Sequence, residues 1–196
     1  MAWVVRESPV DGILKEAERR SEAVAETLER VTKRLKEEGI PYAIIGGMAL
    51  VAHGYVRFTN DVDVLTTPEG FSRVHERFVR RGYRLEGPKT LRDMQTGVDI
   101  EFITSSEFPG DGKPKPVGFP NPKDVAVDRD GISVISLPKL IELKLASGLS
   151  AEHRRLRDLA DVQDLIIALE LPRALGEQMD PSVRGEFFRM WDAAQE

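Results

Sequence analysis

A chain of 196 residues with 41% hydrophobic residues is long enough for one sizeable core, with room for a helical appendage. Its net charge of −5 argues against a protein that coats nucleic acid by bulk electrostatics, although local basic patches such as RFVRR (77–81) and HRRLR (153–157) are present. The lack of cysteine excludes disulfides, zinc–thiolate sites and thiol nucleophiles, and makes the cytoplasm the expected compartment. The opening MAWVVRESPV shows no basic region followed by a long apolar run, and no stretch approaches the roughly 18 apolar residues of a membrane span, so no membrane association is expected.

From residue 11 to 38, Leu14, Ala17, Ser21, Val24, Leu28, Val31 and Leu35 recur at spacings of three and four with charged residues between them. That spacing predicts an amphipathic helix, and Ser21 in the stripe favours a single helix packed on the domain over a coiled coil. Gly39 ends it and Pro41 opens the next segment. YAIIG reads as a short buried strand, MALVAHG as a helical turn or two closed by Gly54, and DVDVLT as a second strand. PEGFSRVHERFVRRG predicts a helix with Pro68 at its start and Phe71, Val74 and Phe78 on one face. YRLEG, TLRDMQT and GVDIEFIT suggest three more strands. Residues 105–124 hold five prolines and three glycines without periodicity, which predicts a long functional or disordered loop. A strand near ISVIS then leads into helices at LPKLIELKLASG, AEHRRLRDLADVQDLIIALE and PSVRGEFFRMWDAAQ.

Chemistry concentrates in residues 46–64. Residues two apart on a strand share a face, so Asp61 and Asp63 stand side by side, about 7 Å apart along the backbone. Two like charges on a half-buried sheet repel unless a cation sits between them, and oxygen ligands favour magnesium or manganese. Asp99, with apolar flanks on another strand, offers a third carboxylate for a two-metal phosphoryl-transfer site. Gly46 and Gly47 lie at a strand-to-helix turn, where bare backbone can approach a phosphate. Arg57 and Thr59 stand just upstream of the aspartates as candidate phosphate contacts, and His53, ending a short apolar helix, reads as a structural histidine.

Gly-Gly, then Asp-x-Asp in a hydrophobic strand, then an Asp between apolar residues resembles the nucleotidyltransferase superfamily that shares the DNA polymerase β palm; Gly46, Gly47, Asp61, Asp63 and Asp99 carry the match. GGMALVAHGYVRFTNDVDVL resembles the small prokaryotic branch of abortive-infection toxin nucleotidyltransferases, whose members continue with a helical lysine and an Arg-Asp-x-x-Asp helix, here Lys144 and Arg157, Asp158 and Asp161. The resemblance covers roughly residues 40–170. Two departures stand out: Gly47 replaces a serine often seen there, and Glu101 competes with Asp99 for the third place. Asp99 is preferred because Val98 and Ile100 flank it.

The resemblance implies an α+β fold, a mixed sheet flanked by helices with a helical C-terminal part. The corresponding segments are an N-terminal helix (1–39), a palm-like domain (40–136) and a helical subdomain (137–196). It implies metal-dependent transfer of a nucleoside monophosphate from a nucleoside triphosphate such as ATP to an acceptor hydroxyl on RNA such as tRNA, on protein or on a small molecule. A toxin–antitoxin setting with a cognate partner protein goes with it. The alternative is an inactive member that binds nucleotide or a partner. Asp61, Asp63 and Asp99 would hold magnesium or manganese, and Gly46, Gly47, Arg57, Thr59, Lys144 and Asp161 would contact the nucleotide. Without the resemblance, Arg154 with Asp158 and Arg157 with Asp161 read as i,i+4 pairs on a solvated helix.

Overall fold

The computed structural model describes residues 9–195; most of the N-terminal stretch searched for an export signal lies outside them, as do the first eight residues of the 1–39 segment. Helix α1 (Pro9–Glu37) comes first. Its stripe is buried only in its second half, at Val24, Val31 and Leu35, whereas Leu14, expected on the packed face, is 57% exposed. Strand β1 (Tyr42–Ile45), helix α2 (Gly46–Ala52) and strand β2 (Asp61–Thr66) follow as the hydrophobic pattern predicts. Helix α3 (Pro68–Phe78) starts at Thr67, whose hydroxyl accepts the Gly70 N–H at 3.0 Å, with Pro68 pre-set in the first turn. Strands β3 (Tyr83–Leu85), β4 (Thr90–Asp93) and β5 (Asp99–Thr104) complete this half.

Beyond the proline-rich loop, the short helix α4 (Pro122–Val125) precedes strands β6 (Ala126–Arg129) and β7 (Ile132–Ile135). Strand β6 is absent from the sequence reading. It pairs with β7 across a two-residue turn, Asp130–Gly131, both at positive φ, the geometry that Asp-Gly favours in hairpins. Helices α5 (Leu137–Ser150), α6 (Glu152–Ala168) and α7 (Pro181–Ala193) close the chain, with a 3₁₀ turn at Arg173–Gln178.

The described residues form one seven-stranded mixed sheet in the order β3-β4-β5-β2-β1-β7-β6. Strand β2 runs antiparallel to β1 and parallel to β5. The fold is therefore the expected α+β arrangement of a mixed sheet flanked by helices and followed by a helical part. Register decides which face does what. Val62 and Val64 lie opposite Ile100 and Phe102, and all four are buried. On that face α3 places Phe71 5.6 Å from Phe102, ring centre to ring centre. The other face carries Asp61 opposite Asp99 and Asp63 opposite Glu101.

Candidate active site

The acidic face of β2 and the helices α5 and α6 enclose a cleft of about 420 Å³. One wall is the sheet, with Asp61, Asp63 and Glu101; the other is helical, with Lys144, Asp158 and Asp161. Strand alternation puts Asp61 and Asp63 on the same side, and the parallel register with β5 sets Glu101 directly across from Asp63. Burial, then the charge of Asp61, then that of Glu101 push the Asp63 carboxyl up to about 7, against the pull of Lys144 and Arg154.

The two glycines are there because nothing larger fits. Gly46 has φ +62°, and a Cβ on it would run into the Asp63 carboxylate. A Cβ on Gly47 would stand 2.6 Å from the Thr59 hydroxyl oxygen. Close approach of backbone thus keeps the start of α2 against Asp63 and Thr59. Thr59 lines the cleft and donates its hydroxyl proton to Asp61 Oδ1 at 2.9 Å, which fixes that carboxylate. His53 is structural, its Nε2 2.7 Å from the Ile135 carbonyl oxygen; burial, above all, lowers its pKa.

The structure does not bring Asp99 into this cleft. Arg92 lies opposite it on β4 and takes both carboxylate oxygens, at 2.7 and 2.8 Å, holding the carboxyl below its usual range. Asp99 opens instead onto a neighbouring hollow beside α1, lined also by Arg19, Arg20 and Thr96. Flanking apolar residues could not reveal this, because Asp99 and Glu101 share one face of the strand and only the partner strand tells them apart.

A model of the family described as uncharacterised nucleotidyltransferases matches residues 8–173. The chain belongs to this family. Similar solved structures include a Thermotoga maritima protein with a provisional nucleotidyltransferase assignment (22% identity over 70% of this chain and 92% of that one, TM-score 0.46). They also include an antigenic nucleotidyltransferase-like protein of Paracoccidioides brasiliensis (14%, 75% and 77%, TM-score 0.46). A third, from H. pylori and likewise provisionally assigned, has 15% identity over 90% and 95% of the two chains, with a TM-score of 0.41. With TM-scores below 0.5, none of these adds to the description of the fold or the site. No curated protein matches the chain.

In this nucleotidyltransferase the helical wall is wired differently from two solvated ion pairs. Lys144 donates to Asp161 Oδ2 at 2.6 Å and to Asp158 Oδ1 at 3.2 Å, and Arg57 reaches both oxygens of Asp161 at 2.6 Å. Asp158 and Asp161 are buried, at 8% and 7% exposure, so the i,i+4 pairs with Arg154 and Arg157 give way to cross-element pairs. Lys144 faces the aspartates of the sheet, and its charge reaches Asp63. The Asp158 Oδ2 and Ser147 Oγ atoms are buried without a hydrogen-bond partner on this wall.

The proline-rich loop has order and closes one end of the cleft. Its arms are joined by Ser106 N–H to the Phe119 carbonyl at 2.9 Å and Phe119 N–H to the Glu107 carbonyl at 2.8 Å. Gly110, at φ +76°, packs on α5 so closely that a Cβ would meet the Ser147 carbonyl oxygen at 2.8 Å. Glu107, Pro109, Gly110 and Phe119 line the cleft, and all four were invisible as site residues because nothing local ties a loop to a distant helix.

The oxygen donors of the sheet wall are Asp61 and Asp63, with Glu101 across the strand pair. Among the described residues no three acidic or histidine side chains form a ready cage for a metal ion. Magnesium is typically held by one or two carboxylates while waters and substrate phosphates supply its remaining ligands, and the neighbouring Asp61 and Asp63 are donors of that kind. No helix among the described residues is long and apolar enough to cross a membrane.

Proposed function

We propose that this protein transfers a nucleoside monophosphate from a nucleoside triphosphate to an acceptor hydroxyl. The observation that carries the reading is the cleft itself: Asp61, Asp63 and Glu101 converge on one wall, and Lys144 faces them from the other. Asp61 and Asp63, with Glu101 across the strand pair, would hold magnesium or manganese together with the substrate phosphates, and the ion would supply the positive charge that neutralises the triphosphate. Gly46 and Gly47 let Asp63 and Thr59 pack against the backbone at the start of α2, which brings that turn to the edge of the cleft where the phosphates would lie. Thr59 orients Asp61, while Arg57 and Lys144 are positioned through Asp161. Glu101, the most exposed of the three carboxylates, accepts the proton of the acceptor hydroxyl. The new bond joins acceptor oxygen to the α-phosphorus, the bond to the β-phosphate oxygen breaks, and pyrophosphate leaves.

The likeness of residues 46–65 to abortive-infection toxin nucleotidyltransferases supports RNA or protein as acceptor and a toxin–antitoxin setting. Incubation with each α-labelled nucleoside triphosphate, magnesium and a cell extract tests the reading. Label should move to an acceptor with wild-type protein and not with Asp61→Asn or Asp63→Asn. Triphosphate binding without transfer in every extract fraction would instead make the protein an inactive binder.

A further inference from the structure

The two walls of the cleft differ in charge once internal pairs are removed. Asp158 and Asp161 are neutralised by Lys144 and Arg57, and Glu107 is paired with Lys89. What remains is three carboxylates on the sheet wall, Asp61, Asp63 and Glu101, facing Arg154 and Arg157 on α6. These two arginines stand three residues apart, so they share a face of the helix. Among the described residues neither guanidinium has an ion-pair or hydrogen-bond partner, because the aspartates one turn further along are held by other cations. Arg154 is near enough that its charge favours the ionised form of Asp63, against the burial that dominates there. Arg155, between them, turns to α7, where it adds to Arg189 in holding Glu186 below the usual carboxylate range.

A cleft with bare carboxylates on one side and bare guanidiniums on the other fits a ligand that carries cations on one edge and anionic oxygens on the other. A divalent metal bound to a polyphosphate is such a ligand, and guanidinium forks match phosphate oxygens in geometry as well as charge. We propose that Arg154 and Arg157 form the polyphosphate-binding edge of the cleft, gripping the β- and γ-phosphates of the metal-bound triphosphate opposite Asp61 and Asp63. This rests on the nucleotidyl-transfer reading and assigns the tail of the substrate to α6.

Calorimetric titration with magnesium–tripolyphosphate, magnesium–ATP and magnesium–AMP tests it on three proteins: wild type, the double variant Arg154→Ala/Arg157→Ala, and Arg155→Ala. Charge-assisted hydrogen bonds support a loss of at least about tenfold for the double variant with tripolyphosphate and ATP. AMP, which lacks the tail, should lose less than about threefold, and Arg155→Ala should match wild type for every ligand. Both arginines are exposed, so the melting temperature should stay unchanged. Tripolyphosphate affinity within twofold of wild type in the double variant overturns the assignment, and an equal loss in Arg155→Ala reduces it to a general field of positive charge and overturns it too. Wild type that binds neither tripolyphosphate nor ATP with magnesium overturns the nucleotidyl-transfer reading itself, and the edge with it.

Discussion

Binding of a divalent cation should expel a proton, and the amount should depend on pH in a way set by Asp63. With its carboxyl at about 7, that group is about nine-tenths protonated at pH 6 and about one-tenth at pH 8. A metal ligand must be ionised, so magnesium or manganese should release about 0.9 proton at pH 6 and about 0.1 at pH 8, and should bind about tenfold more weakly at pH 6. Calorimetric titrations in two buffers of different ionisation enthalpy count the protons directly. The same shift fixes a sign for stability. Because the folded value lies above the ordinary 3.8, Asp63 supports the fold fully below about pH 4. That support is lost as pH rises through about 7, by at most roughly 4 kcal/mol at about 1.4 kcal/mol per pH unit. A saturating cation should flatten that slope, and Asp63→Asn should remove it. Equal cation affinity at pH 6 and pH 8 with no proton release would refute the claim that Asp63 is crowded by Asp61 and Glu101 and relieved by metal.

Three further outcomes follow from the site. Glu101→Gln should lower nucleotidyl transfer by at least about a hundredfold, as for loss of one strong electrostatic group, while Asp99→Asn should cost less than about tenfold; the reverse order in steady-state rates would return the third carboxylate to Asp99. Gly46→Ala should reduce the unfolding free energy measured in urea by about 1–2 kcal/mol from the positive φ alone and should weaken cation binding as well, because the new methyl displaces the Asp63 carboxylate; unchanged metal affinity contradicts that contact. Lys144→Ala leaves Asp158 buried without a cation, whereas Asp161 keeps Arg57, so chemical denaturation should show a loss near 3 kcal/mol, and Lys144→Arg should restore stability more fully than triphosphate affinity.

The features that could be read from sequence were those written in local order. Alternation exposed the shared face of Asp61 and Asp63, and the family resemblance pointed to Lys144 as a nucleotide contact. The Gly-Gly pair marked a turn, and its reason became visible only with Thr59 and Asp63 packed against it. Choices that depend on a neighbour from elsewhere in the chain were not legible. Arg92 on the adjacent strand claims Asp99, and Arg57, about a hundred residues before α6 ends its second turn, helps take Asp161 away from Arg157. Strand β6 was missed for a different reason: AVDR carries a weak strand pattern, although the Asp130–Gly131 turn after it was a usable hairpin signal. The exposed first half of α1 shows the opposite error, in which a regular apolar stripe implied packing along the whole helix although Leu14 is left in solvent.

The most direct measurement follows two labels through one reaction. Protein, magnesium, the preferred nucleoside triphosphate and the acceptor fraction are incubated with the phosphate label in the α position, and in parallel with it in the γ position. Attack at the α-phosphorus opposite Asp61, Asp63 and Glu101 places the α label on the acceptor and the γ label in free pyrophosphate, with both signals lost in Asp63→Asn. Label from the γ position on the acceptor, or α-label transfer that survives Asp63→Asn, would contradict nucleotidyl transfer at this cleft.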